Sequence, residues 1–229
     1  MSVSLKPTEQ IEDLGNGLKV IQDKNGFCFG TDAVALANFA AAKPKERLMD
    51  FCAGTAIVPV LLCGRTRCAD MTALEIQPEV CDMARRTVEL NGLTDRIRVE
   101  LGDLRQAASV YEAGSFDVVT CNPPYMRPDS GKMNQTDSLS IARHELLCTL
   151  ENVVENAAFL LKSGGRFYVV HRTERLADLI YLMKKFRLEP KRMQLVHPDA
   201  GRAPKLVLVE GQKDRKSGLV LMEPLYVNQ

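Results

Sequence analysis

The chain of 229 residues has no apolar run near the roughly 18 residues needed to span a bilayer. Its opening, "MSVSLKPTEQIEDLGNG", lacks the apolar centre of a secretion signal. Both absences predict a cytoplasmic protein with no membrane partner. Net charge is +1, so no global field marks the chain for nucleic acid, and any RNA surface must be local. There are seven cysteines (positions 28, 52, 63, 68, 81, 121 and 148) but no C-x-x-C pair. Cys63 and Cys68 stand nearest, with no histidine beside them, so zinc-ligand spacing is missing and no metal is expected. The thiols read as small buried side chains. Two phosphate-cradling signatures are missing as well: the G-x-G-x-x-G of nicotinamide enzymes and the Walker loop with its lysine.

What is present is ordinary in bulk, with 45% hydrophobic and 26% charged residues, and ordered in pattern. "RLMDFC" (47–52), "DMTALEI" (70–76), "RIRVE" (96–100), "SFDVVTCN" (115–122) and "GRFYVVH" (165–171) read as strands. "AIVPVLLC" (56–63) is an apolar run after the first of them. "EVCDMARRTVELNG" has helical spacing and ends on the Asn91-Gly92 pair, while "SIARHELLCTLENVVENAAFLLKSGG" predicts a long helix stopped by its glycines. Strands alternating with helices predict a doubly wound, mainly parallel α/β sheet. Gly15-Asn16-Gly17 signals a hairpin before it, and "TDAVALANFAAA" a helix entering it. The strand-rich tail ("LEPKRMQLVHP", "PKLVLVEGQKD", "SGLVLMEPLYV") is expected to close the sheet with antiparallel strands. No repeat or linker divides the chain. One domain is expected, with residues 1–30 as a hairpin extension and 31–229 as the core.

In such sheets ligands sit outside the carboxyl ends of the strands, where strand order reverses. "DFCAGTA" (50–56) puts a carboxylate, then small residues around Gly54, after the first strand. Glu75 ends the second strand about twenty residues on, where an acid can accept both hydroxyls of a ribose. Asp103, in "LGD", ends the third and could accept from an adenine amino group. Each alone is weak: a small turn, a solvated strand end, a helix N-cap. Together they predict a ligand that carries adenosine without a pyrophosphate, which fits S-adenosyl-L-methionine.

"FDVVTCNPPYMRP" (116–128) then has a use. An exocyclic amine on a planar ring is a poor nucleophile because its lone pair is delocalised. If the Asn122 side-chain oxygen and the Pro123 carbonyl each accept one N–H, the nitrogen is drawn towards tetrahedral and its developing charge is stabilised. Tyr125 can stack on the planar substrate.

The "NPPY" after the fourth strand resembles the motif of class I amino-methyltransferases. More narrowly, the chain is similar to the bacterial tRNA(Val) adenine-N6 methyltransferase family in "GFCFGTDAVALANFA" (26–40), "DFCAGT", "ALEI", "LGD", "ARHE" (142–145) and the tail "VHP…APKLVLVEG". The resemblance implies a seven-stranded Rossmann-like sheet and methyl transfer to an adenine of tRNA. It implies catalysis by Asn122, Pro123 and Tyr125. It also implies cofactor contacts from Asp50, Cys52, Gly54, Glu75, Ile76, Asp103, Leu104 and Asn122, with Thr31 and Asp32 at the pocket edge. Alternatives are a protein-glutamine methyltransferase, disfavoured because only about fifty residues precede Asp50 and they read as a hairpin and a helix rather than a helical domain. A guanine-N2 rRNA methyltransferase and an RNA-binding protein with a relict pocket are the others.

The family's turn usually carries glycines where this chain has Cys52 and Ala56, so a position that needs φ > 0 would be strained here and cofactor binding weakened. Candidate RNA-contacting cations are Arg127 and Lys132 in a polar segment (126–140) expected to be mobile, Arg143 beyond it, and Lys184 and Lys185 in "KKFRLEPKR". His144 is given no proton-transfer role. A monomer is expected.

Overall fold

Asn16 and Gly17 both lie at positive φ, 54° and 79°, in a two-residue turn that joins β1 (Glu9–Gly15) to β2 (Leu18–Asp23). Only turns of this hand match the twist of an antiparallel pair, which is why Asn-Gly sits there. The computed structural model describes residues 3–26, 29–124 and 148–227. The hairpin lies along helix α3 (Pro78–Leu90). The Ile21 N–H donates to the Thr87 hydroxyl at 3.1 Å and the Lys19 N–H to the Asn91 side chain at 2.9 Å. The Arg86 guanidinium donates to both oxygens of the buried Glu9 carboxylate, each at 2.6 Å. The hairpin is thus strapped to the core by polar contacts as well as by the buried Val20 and Ile21.

The main sheet is nine-stranded. Its centre is β3 (Arg47–Phe51), flanked on one side by β4 (Asp70–Glu75) and β5 (Ile97–Leu101). On the other side come β6 (Phe116–Cys121), β7 (Leu161–Arg172), β9 (Leu206–Lys213) and β8 (Leu188–His197). The strands β3 to β7 pair in parallel, and β9 runs antiparallel between β7 and β8. The seven strands expected are all present. The sheet gains two more because the tail holds β10 (Val220–Leu221) and β11 (Leu225–Tyr226), which both pair with β8 in parallel. The last run was expected to join the tail's antiparallel strands, and it pairs in parallel instead. Pro224 separates its two halves, and a proline cannot donate to a ladder.

Helices cover both faces. Helix α1 (Thr31–Phe39), α2 (Ile57–Arg65) and α3 bury Leu36, Val60 and Val88 against Leu48, Met71, Val118 and Val170. Helix α4 (Ala107–Val110), α5 (Leu150–Leu160) and α6 (Leu176–Lys185) bury Ala107, Ala157 and Met183 against Met49, Leu74, Val119 and Val169. Adjacent residues such as Leu48 and Met49 face opposite layers, as the two-residue period of a strand requires. Burial on both faces explains why these strands read as continuous apolar runs. Thr149 and Asn152 close a capping box at the start of α5. That helix ends at Leu160, short of the glycines expected to stop it, because β7 begins at Leu161 and carries Gly164 and Gly165 within it.

Candidate cofactor and catalytic site

Strand order reverses at β3, whose neighbours β4 and β6 carry the chain in opposite directions across the sheet. The crevice beyond the carboxyl ends of these strands is the expected ligand site. Asp50 lies one residue before the end of β3 and is 1% exposed. The parallel register sets it opposite Thr120 on β6, whose hydroxyl donates to Asp50 Oδ1 at 2.5 Å. Burial pushes the Asp50 carboxyl up to about 7, and the nearby Glu75 charge pushes the same way against the Thr120 bond. Its partner Thr120 carried no sequence signal, because the pairing exists only through strand register.

The turn after Asp50 alternates in hand. Cys52, Gly54 and Ala56 have φ of 54°, 56° and 64°. The strain expected at Cys52 is therefore real and Ala56 shares it, at about 1–2 kcal/mol for each Cβ in this region. A Cβ built on Gly54 would meet nothing within 4 Å, so the surface of the turn opens onto free space. Two neighbours hold its shape. Ala53 N–H donates to the Leu74 carbonyl at 3.1 Å, and Gly54 N–H donates to Glu75 Oε2 at 2.9 Å. The other Glu75 oxygen accepts the Gln77 N–H at 3.0 Å. Glu75 is buried, and Ile76 follows it half-buried at the mouth of the strand.

Beyond β5, Asp103 caps a short turn over Leu104–Gln106 by accepting from the Arg105 N–H at 2.9 Å. The Arg105 guanidinium donates to Asp103 Oδ2 at 2.9 and 2.6 Å and to Oδ1 at 3.1 Å, and holds the carboxyl below its ordinary range. Leu104 is buried under this turn. Asp103 is thus an N-cap, with its carboxylate also paired with Arg105.

Thr31 and Asp32 begin α1. The Arg65 guanidinium, at the end of α2, donates to the Ala37 carbonyl near the end of α1. The two helices pack together, and α2 begins directly after the 52–56 turn. Asp32 is largely buried, with Oδ1 accepting the Ala33 N–H at 2.8 Å. On β6, Cys121 leads into Asn122, Pro123 and Pro124, of which Pro123 is buried and the other two half-buried. The fourth member of that motif, Tyr125, lies outside the described residues, as do Arg127, Lys132, Arg143, His144 and the segment 126–140.

Lys184 and Lys185 do not sit as free cations. They end α6 and pair with Glu189 and Glu151. Among the described residues, no group of three or more His, Cys, Asp or Glu side chains is arranged to hold a metal, and no helix is long and apolar enough to cross a membrane. The site suits adenosylmethionine: an open glycine turn, with carboxylates at the ends of three adjacent strands to meet a cationic ligand rich in donors.

Comparison with known proteins agrees with this geometry. The family model described as "Methyltransferase small domain" matches residues 17–188. A tRNA1(Val) (adenine(37)-N6)-methyltransferase of Bacteroides thetaiotaomicron is 30% identical over 192 residues, spanning 83% of this chain and 78% of that one. A protein of the same name from Porphyromonas gingivalis is 28% identical over 187 residues, spanning 79% and 72%. Among solved structures, a predicted O-methyltransferase from Agrobacterium tumefaciens superposes with a TM-score of 0.69 at 24% identity, covering 85% of this chain and 86% of that one. TYW2 of M. jannaschii in complex with AdoMet gives 0.61 at 14%, covering 92% and 88%.

Proposed function

We infer, for a chain that belongs to the methyltransferase small domain family, that it transfers a methyl group from S-adenosyl-L-methionine to the exocyclic N6 of an adenine in tRNA. The observation that carries this reading is one crevice at the reversal of strand order. It joins Asp50, the turn at Gly54, Glu75 and Asp103 to the Asn122-Pro123 end of the adjacent β6. The cofactor supplies the methyl on a sulfonium. The protein's part is to hold and orient.

Asp50 would meet the cationic end of the cofactor, Glu75 would accept from the ribose while holding the turn, and Asp103 with Leu104 and Ile76 would bound the adenine. Thr31 and Asp32 close the rim. The Asn122 carboxamide oxygen and the Pro123 carbonyl each accept one N–H of the substrate amine, so its lone pair is freed towards the methyl group. No strong base is required, since the proton leaves after transfer. Tyr125 stacks on the adenine, and Arg127, Lys132 and Arg143 contact the RNA backbone. Lys184 and Lys185, being ion-paired, are the weakest members of that set. The protein acts as a monomeric single domain in the cytoplasm, its hairpin bound to the core through Arg86 and Glu9.

The test is to incubate unmodified tRNA with the protein and S-adenosylmethionine and analyse the nucleosides by mass spectrometry. N6-methyladenosine is the expected product. Methylguanosine, or methylglutamine in a protein substrate with no methylated adenine, would replace this reading with one of its rivals.

A further inference from the structure

Strand β5 ends the main sheet and, among the described residues, pairs with β4 alone. Beside its first residues is a cavity of about 330 Å³, within the roughly 300–1,000 Å³ usual for ligand sites. Three arginines line it: Arg85 from α3, Arg96 just ahead of β5, and Arg98 within β5. Arg96 is fixed in place. Its guanidinium donates to the carbonyls of Cys63 at 3.2 Å, Thr66 at 2.8 Å and Cys68 at 2.7 and 3.1 Å, which leaves one Nη1 N–H and the whole charge. Arg85 is exposed, and its Nε donates to the Val99 carbonyl at 3.4 Å. Among the described residues, neither arginine pairs with a carboxylate. Arg98 is 65% exposed and stands 3.7 Å from Glu100, a loose pair. Two carboxylates also line the cavity. Asp70 is bonded to Arg47 at 3.0 Å, so its charge is met on β3. Only the exposed Asp95 is left to oppose three guanidiniums. A lone arginine on an open surface is a solvated side chain. Three around one concavity, one of them immobilised by carbonyls, focus a positive potential there.

We propose that this cavity is a binding site for a phosphate group, separate from the cofactor crevice. The exposed forks of Arg85 and Arg98 suit phosphate oxygens, each offering paired N–H groups, while Arg96 adds fixed charge from behind. The Thr94 hydroxyl on the same rim is a further donor. Asp95 opposes the anion and keeps its binding weak and reversible. The phosphate has two possible sources of the same chemistry, the backbone of the substrate RNA and a free phosphate. Placement favours the backbone. Strand β5 runs from Ile97 beside the cavity to Leu101 near Asp103, four steps of roughly 3.3 Å or about 13 Å. An RNA strand whose adenine enters the crevice spans that length along the open edge of the sheet. This source rests on the reading of the chain as a tRNA methyltransferase; the phosphate site itself does not. None of the three arginines belongs to the groups assigned to the cofactor or to methyl transfer.

The experiment uses the full chain, a double variant Arg85→Gln with Arg98→Gln, and Asp95→Asn. Arg96 is left alone because it fastens the 63–68 turn. Each protein is titrated with unmodified tRNA at several salt concentrations and with S-adenosylmethionine, and is melted with and without inorganic phosphate at constant ionic strength. The double variant should bind tRNA about tenfold more weakly, and the slope of log affinity against log salt should fall by about 0.7–0.9 for one lost phosphate contact. Its S-adenosylmethionine affinity should not move. Asp95→Asn, which removes the opposing charge, should shift tRNA affinity the other way. Inorganic phosphate should raise the melting temperature of the wild type more than that of the double variant. Unchanged tRNA binding together with a lost response to phosphate would keep the site and assign it to a free phosphate. If neither tRNA nor phosphate distinguishes the double variant from wild type, or if Asp95→Asn weakens both, the proposal is overturned. Wild type that binds neither S-adenosylmethionine nor tRNA would instead fault the functional reading, and the melts with phosphate would still decide for or against the site.

Discussion

The Glu75 carboxylate accepts the Gly54 N–H at 2.9 Å, which makes it part of the cofactor turn as well as a candidate partner of the cofactor. Two substitutions separate these roles. Glu75→Ala removes the charged acceptor and the clamp together, and hydrogen bonds to charged groups contribute about 1.5–3 kcal/mol each. It should weaken S-adenosylmethionine by at least about tenfold and lower thermal stability. Glu75→Gln keeps an oxygen for Gly54 but loses the charge and sets its NH2 against the Gln77 N–H, so it should cost less stability than Glu75→Ala and still weaken the cofactor. If both variants bind as wild type does in calorimetry, Glu75 serves the turn alone.

Cys52 is strained and Gly54 is not, although their φ angles are 54° and 56°. Replacing Cys52 by glycine removes the Cβ from the left-handed region. It also loosens the unfolded chain, which offsets part of the gain. Cys52→Gly should therefore raise the unfolding free energy by about 0.5–1 kcal/mol. It should tighten S-adenosylmethionine as well, because the turn is already in its binding shape. Denaturant melts and a titration check both. A destabilised variant would mean that the apolar contacts of the Cys52 sulfur outweigh the strain.

Asp50 and pH form the third case. Its folded carboxyl is raised to about 7 while the unfolded value is near the ordinary 3.8, so the folded protein without cofactor retains the proton that the unfolded chain loses. Stability from this group is thus full at low pH and lost as pH rises towards 7, by about 4 kcal/mol. A cationic ligand favours the ionised form and expels the proton. S-adenosylmethionine affinity should then rise with pH and level off above about 7, and Asp50→Asn should flatten the curve. Titrations between about pH 5.5 and 8.5 in two buffers of different ionisation enthalpy report both the slope and the released proton.

His171, buried at the end of β7, tilts the other way. Burial and the Arg175 charge lower its ring to about 4, so the unfolded chain takes up a proton that the folded one refuses. Its contribution is complete above about 6.5 and is lost as pH falls towards 4, by about 3 kcal/mol. Unfolding of wild type and His171→Gln at pH values across that window should show the wild type losing more. Parallel curves would mean that the ring is protonated in the folded state.

Much of this site was legible because a strand buried on both faces writes itself as an apolar run, and the run ends where the chain turns into the crevice. Asp50, Glu75, Asp103 and Asn122 were found in that way. The strain at Cys52 followed from knowing which positions glycine usually fills, whereas that at Ala56 emerged only from the structure. Pairings made by register or tertiary folding left no local trace. Thr120 meets Asp50 across two strands, and Lys185 finds its counter-ion in Glu151 of another helix. The tail misled for a related reason. Val220–Leu221 and Leu225–Tyr226 have strand composition, but which neighbour a short edge segment pairs with, and in which direction, depends on how the chain returns to β8.

The last prediction concerns Asn122, which follows the final residue of β6 and is held by a buried proline on its far side. The rigid Pro123-Pro124 pair sets the direction of the Pro123 carbonyl and limits how far the Asn122 carboxamide can swing. An acceptor aimed at charge that develops on the substrate nitrogen stabilises the transition state more than the bound ground state. Asn122→Ala should therefore lower single-turnover methyl transfer on the order of 10²–10³-fold. Separate titrations should show S-adenosylmethionine and tRNA affinities changing far less. Asn122→Asp keeps an oxygen but adds a charge beside the already raised Asp50. It should push Asp50 further towards its protonated form and weaken the cofactor, a loss that Asn122→Ala would not share. Methyl transfer by Asn122→Ala at near the wild-type rate would place the acceptors of the amine elsewhere in the crevice.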